Sequence, residues 1–257
     1  FQMELPKEGF LQQHRVLFDV PNARWVMRPI ATRGERLTLS QILFQGDVAG
    51  GGGALEIDHR GVIEVDDGGR MTAIVLFEPG DLDGAYAELD ARWQAGEARA
   101  HPRVAAYRGA FVRALADRDW DALAALQAPT LVAHDHRLVG WDELRGPEAY
   151  VGALQAMVEL APDAQGRLDH LRTAEHGLLA EVVWVGTRDG GAFESPFLWV
   201  LELDETGHAQ RLDFYDPHHI DAARARFAEV SRRAPQAAVD RRASQPARAR
   251  SEPPAAF

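Results

Sequence analysis

Three consecutive titratable residues, His134, Asp135 and His136, close a stretch from Thr130 to His136 that reads as a β-strand. Side chains alternate along a strand, so Asp135 points to one face and both histidines to the other. If the aspartate faces an apolar interior, desolvation raises its pKa toward the range of a general base. If the histidines face it, they form a proton-transfer pair or two metal ligands. In the plainer arrangement one face packs and the other is solvated. A second set, Arg211, Asp213 and Tyr215, shares one face of a later strand-like stretch. Asp213 is there either an acid/base group or half of an ion pair with Arg211. Tyr107, Phe111, Trp141 and Tyr150 could line an apolar pocket. So could Trp184, Phe197, Trp199 and Tyr215, although aromatic side chains fill ordinary cores as readily.

Other chemistry lacks its residues. His218 and His219 follow Pro217 at a strand-to-helix turn, where adjacent side chains diverge, which suits capping or solvent rather than a metal. The run Gly50 to Gly53 is followed by neither Lys-Ser/Thr nor a helix start, so it is not a phosphate loop. No Gly-x-Ser-x-Gly or His-Glu-x-x-His occurs, and with no cysteine there is no disulfide, thiolate or Cys-based zinc site. No metal and no cofactor is expected.

The elements that must position these residues follow from periodicity. Arg103 to Ala116 repeats its apolar residues at helical steps, and Asp119 is placed to N-cap a short helix ended by Pro129. Gly146 to Leu160 reads as a third helix with Pro147 in its first turn. Four strands follow, Arg167 to Arg172, Leu178 to Thr187, Ala192 to Leu203 and Gln210 to Asp216, then a helix from Asp221 to Val230. Helices first and a long antiparallel meander after them predict an α+β fold.

The chain also repeats itself. Val62-Ile63-Glu64-Val65-Asp66 answers Val200-Leu201-Glu202-Leu203-Asp204, and Phe77-Glu78-Pro79 answers Tyr215-Asp216-Pro217, at an offset of 138. Upstream, Pro21, Thr32 and Leu37 answer Pro162, Thr173 and Leu178 at 141, with the shift absorbed near Gly50 to Gly53. The first copy would hold a helix from Glu8 to Phe18, a meander from Arg36 to Phe77 and a closing helix from Asp83 to Trp93, without a counterpart of His101 to Arg145. Its glutamates Glu56 and Glu64 recur as Glu194 and Glu202, which suggests a structural role for the four. The expected organisation is a tag remnant (1–3), an incomplete unit (4–94), a linker (95–102), a complete unit (103–230) and a tail (231–257). Ile42, Phe44, Ile74 and Leu76 in the incomplete unit need cover from the second unit or from a partner, so a homodimer is expected.

Composition narrows the partners. Of the net charge of −11, the Ala/Pro/Arg tail contributes +4, which leaves −15 on the rest. An acidic body argues against nucleic-acid binding by the folded part, and the tail lacks the apolar residues needed for order. No run of 18 apolar residues and no basic-then-apolar leader is present, so no membrane association and a cytoplasmic location are expected.

Several segments resemble the tandem SnoaL-like units at the carboxyl ends of large actinobacterial regulators. They are Ala31-Thr32-Arg33-Gly34-Glu35-Arg36-Leu37, the run from Asp81 to Trp93, and His134-Asp135-His136-Arg137 with Arg145-Gly146. The resemblance implies two nuclear transport factor 2-like cones, the first without its N-terminal helices, and a small organic ligand in the second. Set beside the related ketosteroid isomerases, Asp135 falls on the general base, Phe111 on the oxyanion-hole tyrosine and Trp199 on its aspartate partner. Neither replacement can stabilise an enolate, and that stabilisation usually supplies most of the rate enhancement in such chemistry. The resemblance therefore implies a binding module of accessory or regulatory kind. Its alternative is an isomerase, cyclase or epoxide hydrolase using Asp135 or Asp213.

Overall fold

The computed structural model describes residues 2–4, 15, 17–48, 53–141 and 143–232. Its first part contains β1 (Gln2–Glu4), β2 (Arg24–Arg33), β3 (Leu37–Asp47), β4 (Ala54–Val65), β5 (Met71–Phe77) and α1 (Leu82–Ala95). A 3-10 turn, Glu97–Ala100, leads into α2 (Pro102–Ala116), α3 (Trp120–Ala125), β6 (Gln127–Asp135), β7 (Leu144–Arg145) and α4 (Gly146–Leu160). The last part is β8 (Gln165–Ala174), β9 (Gly177–Arg188), β10 (Gly191–Leu203), β11 (Ala209–Tyr215), a 3-10 turn at Pro217–His219, and α5 (Ile220–Arg232). The strands make one open sheet in the order β1-β5-β4-β3-β2-β8-β9-β10-β11-β6-β7.

Local chemistry explains most boundaries. Asp119 and Asp81 cap α3 and α1 by accepting from the Ala122 and Gly84 amides. Asp189 and Gly190 both have positive φ, as the two-residue loop joining β9 to β10 requires. Gly177 is obligatory for a different reason: a Cβ there would lie 2.0 Å from the Leu201 carbonyl oxygen. Pro129, expected to end α3, instead lies within β6, which begins at Gln127. Proline is tolerated there because that part of β6 is thinly paired; its register with β11 runs mainly from Val132 to Asp135.

The two meanders share details beyond their order. β4–β5 and β10–β11 each carry a bulge, at Glu64/Val65 and at Glu202/Leu203, positions 138 apart. Glu64 pairs with Arg92 of α1 and Glu202 with Arg226 of α5, so each glutamate ties its sheet to the helix that closes it. Along α5, Ala223, Phe227 and Val230 lie at helical spacing and pack on Leu179, Leu198, Val200 and Tyr215.

One join holds the sheet's two parts together. β2 runs parallel to β8 through Thr32↔His170 and Arg33↔Leu171. Arg33, 1% exposed, donates to the Thr32, Asp169 and Leu168 carbonyls and to Asp90 at 2.6 Å. Burial lowers its pKa, and Asp90 opposes that shift. The same Asp90 accepts two bonds from Arg108 of α2.

Two boundaries differ from the sequence reading, and Gln2 and Met3, in the segment expected to be a tag remnant, pair with Phe77 and Leu76 along the free edge of β5. The expected linker 95–102 is a 3-10 turn with Ala98 buried, followed at once by α2. The tail does not start at Ser231, since α5 continues to Arg232. The expected helix from Glu8 to Phe18 lies mostly outside the described residues, as does the tail after Arg232. Ile42, Phe44, Ile74 and Leu76 are all buried within the chain, so the burial of these four needs no second subunit.

Candidate functional site

A cavity of about 310 Å³ lies between α2, α4 and the sheet. From α2 it takes Phe111, Val112 and Leu115, and from α4 Tyr150, Leu154 and Met157, each set at helical spacing. The sheet contributes by alternation: Leu178, Ala180, Val182 and Trp184 of β9, Phe197 and Trp199 of β10, and Phe214 of β11. In β8 a register shift between Leu168 and His170 changes the parity, so Leu168 and Leu171 both reach the cavity. Six of the expected aromatic residues therefore converge there: Phe111, Trp141, Tyr150, Trp184, Phe197 and Trp199.

Two expected aromatic residues lie elsewhere. Tyr107 is buried in the core beneath the cavity, where its hydroxyl meets Gln127 Oε1 at 3.4 Å. Tyr215 stacks on His136 at 4.5 Å and packs with α5 on the opposite face of the sheet. Burial, with Asp213 nearby, pushes the Tyr215 pKa to about 12.

The aspartates separate as the alternation requires. Leu131 and Ala133 face the core, so Asp135 shares the cavity side of β6 while His134 and His136 face outward, stacked 6.1 Å apart. The Asp135 carboxylate is covered. Arg137 grips it through Nε at 2.9 Å and Nη2 at 2.7 Å, and the Trp141 and Arg137 amides add bonds of 2.7 and 3.1 Å. Burial would raise its pKa, but these bonds outweigh it and hold the carboxyl below the ordinary range. Gly140 belongs to this arrangement, because a Cβ there would sit 2.4 Å from the carboxylate. Arg137 in turn faces the cavity, 5.4 to 5.8 Å from the Trp141, Phe197 and Phe214 rings.

Asp213 is fully buried on the outer face. It accepts two bonds from Arg211 and one from Arg226, all at 2.9 Å, and His136 Nε2 donates at 3.1 Å. Here too burial raises the pKa but the donors prevail and lower it. Glu143 lies 3.1 Å from His134 Nδ1. One trio among the described residues, Asp216, His218 and His219, brings potential ligand atoms within 4.8 Å of one another, and both histidines are exposed.

Sequence reasoning missed the cavity's polar wall. Arg108, Arg118 and Arg137 line it, Gln165 joins them, and no carboxylate does among the described residues. Arginine in a helix or loop gives no periodic signal of its own, although the placement of Arg108 one turn before Phe111 on α2 put it on that face.

Residues 109–216 match the family described as SnoaL-like domain. That match runs from within α2 to just past the end of β11 and takes in most of the cavity wall. No curated protein matches the chain. Among solved structures, a SnoaL-like polyketide cyclase of a Jannaschia species is 11% identical, over 52% of this chain and 95% of its own, with a TM-score of 0.40. An epoxide hydrolase from Mycobacterium tuberculosis is 18% identical, over 49% and 92%, at 0.38. A protein of ketosteroid isomerase-like fold from Catenulispora acidiphila, in complex with trimethylamine, is 18% identical, over 42% and 83%, at 0.37. No helix among the described residues is long and apolar enough to cross a membrane.

Proposed function

We propose that residues 103–230 bind a partly apolar organic molecule in this cavity and act as an accessory or regulatory module. The observation that carries the reading is a cavity walled by Phe111, Trp141, Tyr150, Trp184, Phe197 and Trp199 with no carboxylate among its lining residues. A general base needs a pKa near the working pH and a free lone pair. Asp135 and Asp213 have lowered pKa values, and both are engaged by arginine. We also read residues 4–94 as an incomplete copy of the same unit, which the matched bulges and glutamate–arginine ties support.

The second reading is a cofactor-independent isomerase, cyclase or epoxide hydrolase. One observation favours it: Asp135 shares the cavity side of β6, where Arg137 covers its carboxylate. Tryptophan fluorescence tests the binding reading, since three of the six tryptophans line the cavity. Apolar compounds should change the emission saturably, and Trp184→Ala should weaken binding about tenfold with little change in melting temperature. A protein that binds none of a broad apolar panel would overturn the reading. Turnover of an epoxide or cyclisable ketone, abolished by Asp135→Asn, would put the enzyme in its place.

A further inference from the structure

We infer that Asp216, His218 and His219 form a binding site for a divalent ion of the later first-row transition metals, such as Zn²⁺, at the corner where β11 passes into α5. None of the three lines the cavity, so the site stands apart from the binding reading above. Adjacent side chains at this turn are expected from the sequence to diverge, yet the structure brings one donor atom of each residue within 4.8 Å of the other two. The turn explains the convergence. Pro217 opens a 3-10 turn, Pro217–His219, and the His219 amide closes it by donating to the Asp216 carbonyl at 2.9 Å. The two imidazoles are thereby set side by side, their ring centroids 4.0 Å apart and their planes tilted by 49°.

All three side chains keep ligand atoms available. Both histidines are exposed, and neither makes a side-chain hydrogen bond or ion pair among the described residues. By contrast, His134 is held by Glu143, His136 by Asp213, His170 by Thr32 and His208 by Thr206. Asp216 does not cap the turn that follows it. Its Oδ2 accepts from the Leu138 amide at 3.1 Å, which orients the carboxylate and leaves Oδ1 for an ion. A tetrahedral Zn²⁺ at its usual bond lengths needs donors about 3.4 Å apart. Exposed side chains close that gap by rotation alone. Two imidazoles and one carboxylate suit Zn²⁺ and its neighbours in the first row, whereas Mg²⁺ and Ca²⁺ call for a shell of oxygens. Water would fill the position the chain leaves open.

The test titrates the untagged, chelator-treated full chain with Zn²⁺ and with Mg²⁺ by isothermal calorimetry. Zn²⁺ should bind one-to-one with a dissociation constant of about 100 μM or tighter, and Mg²⁺ about a hundredfold more weakly. His218→Ala, His219→Ala and Asp216→Asn should each weaken Zn²⁺ about tenfold or more. The histidines are surface positions, and asparagine still accepts from the Leu138 amide, so the three variants should fold as the parent does. His208→Ala, on the turn between β10 and β11, should leave the affinity unchanged. Zn²⁺ should also raise the melting temperature of the parent, because an ion held by this turn binds the folded chain better than the unfolded one. Weaker binding of Zn²⁺, a comparable affinity for Mg²⁺, or an affinity unchanged in any of the three variants would overturn the site. So would an unchanged melting temperature, which would show that the unfolded chain binds the ion equally well.

Discussion

Where β11 buries Asp213 against Arg211, Arg226 and His136, β5 buries Val75, the residue 138 positions earlier. The flanking pairs match well: Val62 with Val200, Phe77 with Tyr215, and Glu64 with Glu202, and both meanders bulge after that glutamate. A meander closed by one helix thus needs no buried carboxylate, and the Asp213 cluster is an addition peculiar to residues 165–232. The other faces differ more. In residues 24–77 that face carries Ile63, Ile74 and Leu76, which cluster with Ile42 and pack against Trp25 and Val65. Their counterparts 138 positions on, Leu201, Leu212 and Phe214, lie on the side of the second meander spanned by α2 and α4, which leave the cavity between helix and strand. The helix that closes the first meander, α1, meets one residue of that cavity wall: its Asp90 and Trp93 hold the Arg108 guanidinium, the ring 5.2 Å from it.

Asp213→Asn is the substitution expected to cost most. It leaves Arg211 and Arg226 facing a neutral group in a buried site, which destabilises by about 3–5 kcal/mol in comparable cases. Urea unfolding at pH 7 measures it, and ligand binding in the cavity should not change. The pH dependence follows from the sign of the shift. The folded pKa of Asp213 lies below the unfolded value near ~3.9, so its contribution is present above that value and is lost as the pH falls through the folded pKa. The variant should accordingly lose less stability than the parent between about pH 5 and pH 2. If Asp213→Asn leaves stability unchanged, the second meander is no more dependent on its polar cluster than the first.

Gly177→Ala comes next, at about 2–3 kcal/mol, since a Cβ forced against the Leu201 carbonyl must displace backbone. Differential scanning calorimetry reads this as a lowered melting temperature. The two glutamate ties provide a sharper comparison. Glu202 and Arg226 are 14% and 12% exposed, whereas Glu64 and Arg92 are 36% and 20% exposed. Glu202→Gln should therefore cost about 1–2 kcal/mol and Glu64→Gln less than about 1 kcal/mol, because solvent screens the more open pair. Equal costs would show that burial does not separate the two closures. Deleting residues 1–4 should matter least, within about 1 kcal/mol by urea midpoint, since β1 adds three edge residues to β5.

The sequence by itself determined the main helices and strands after residue 82, including the bounds of α4 and the Asp119 cap. Those features depend on local periodicity and on side chains that bond to their own backbone neighbours. Alternation along single strands also settled that Asp135 opposes His134 and His136, and that Asp213 shares a face with Arg211 and Tyr215. Tertiary structure alone decided which face became the cavity, because a strand's parity is symmetric until a helix covers one side. It also placed Arg137 over Asp135 and Arg226 beside Asp213, turning two candidate bases into ion pairs. Tyr107 and Tyr215 fell outside the cavity for a similar reason: their aromatic character was legible, but their neighbours across the sheet were not. The sharing of Asp90 between Arg33 and Arg108 joins residues 75 positions apart in the chain, and no local pattern could have disclosed it.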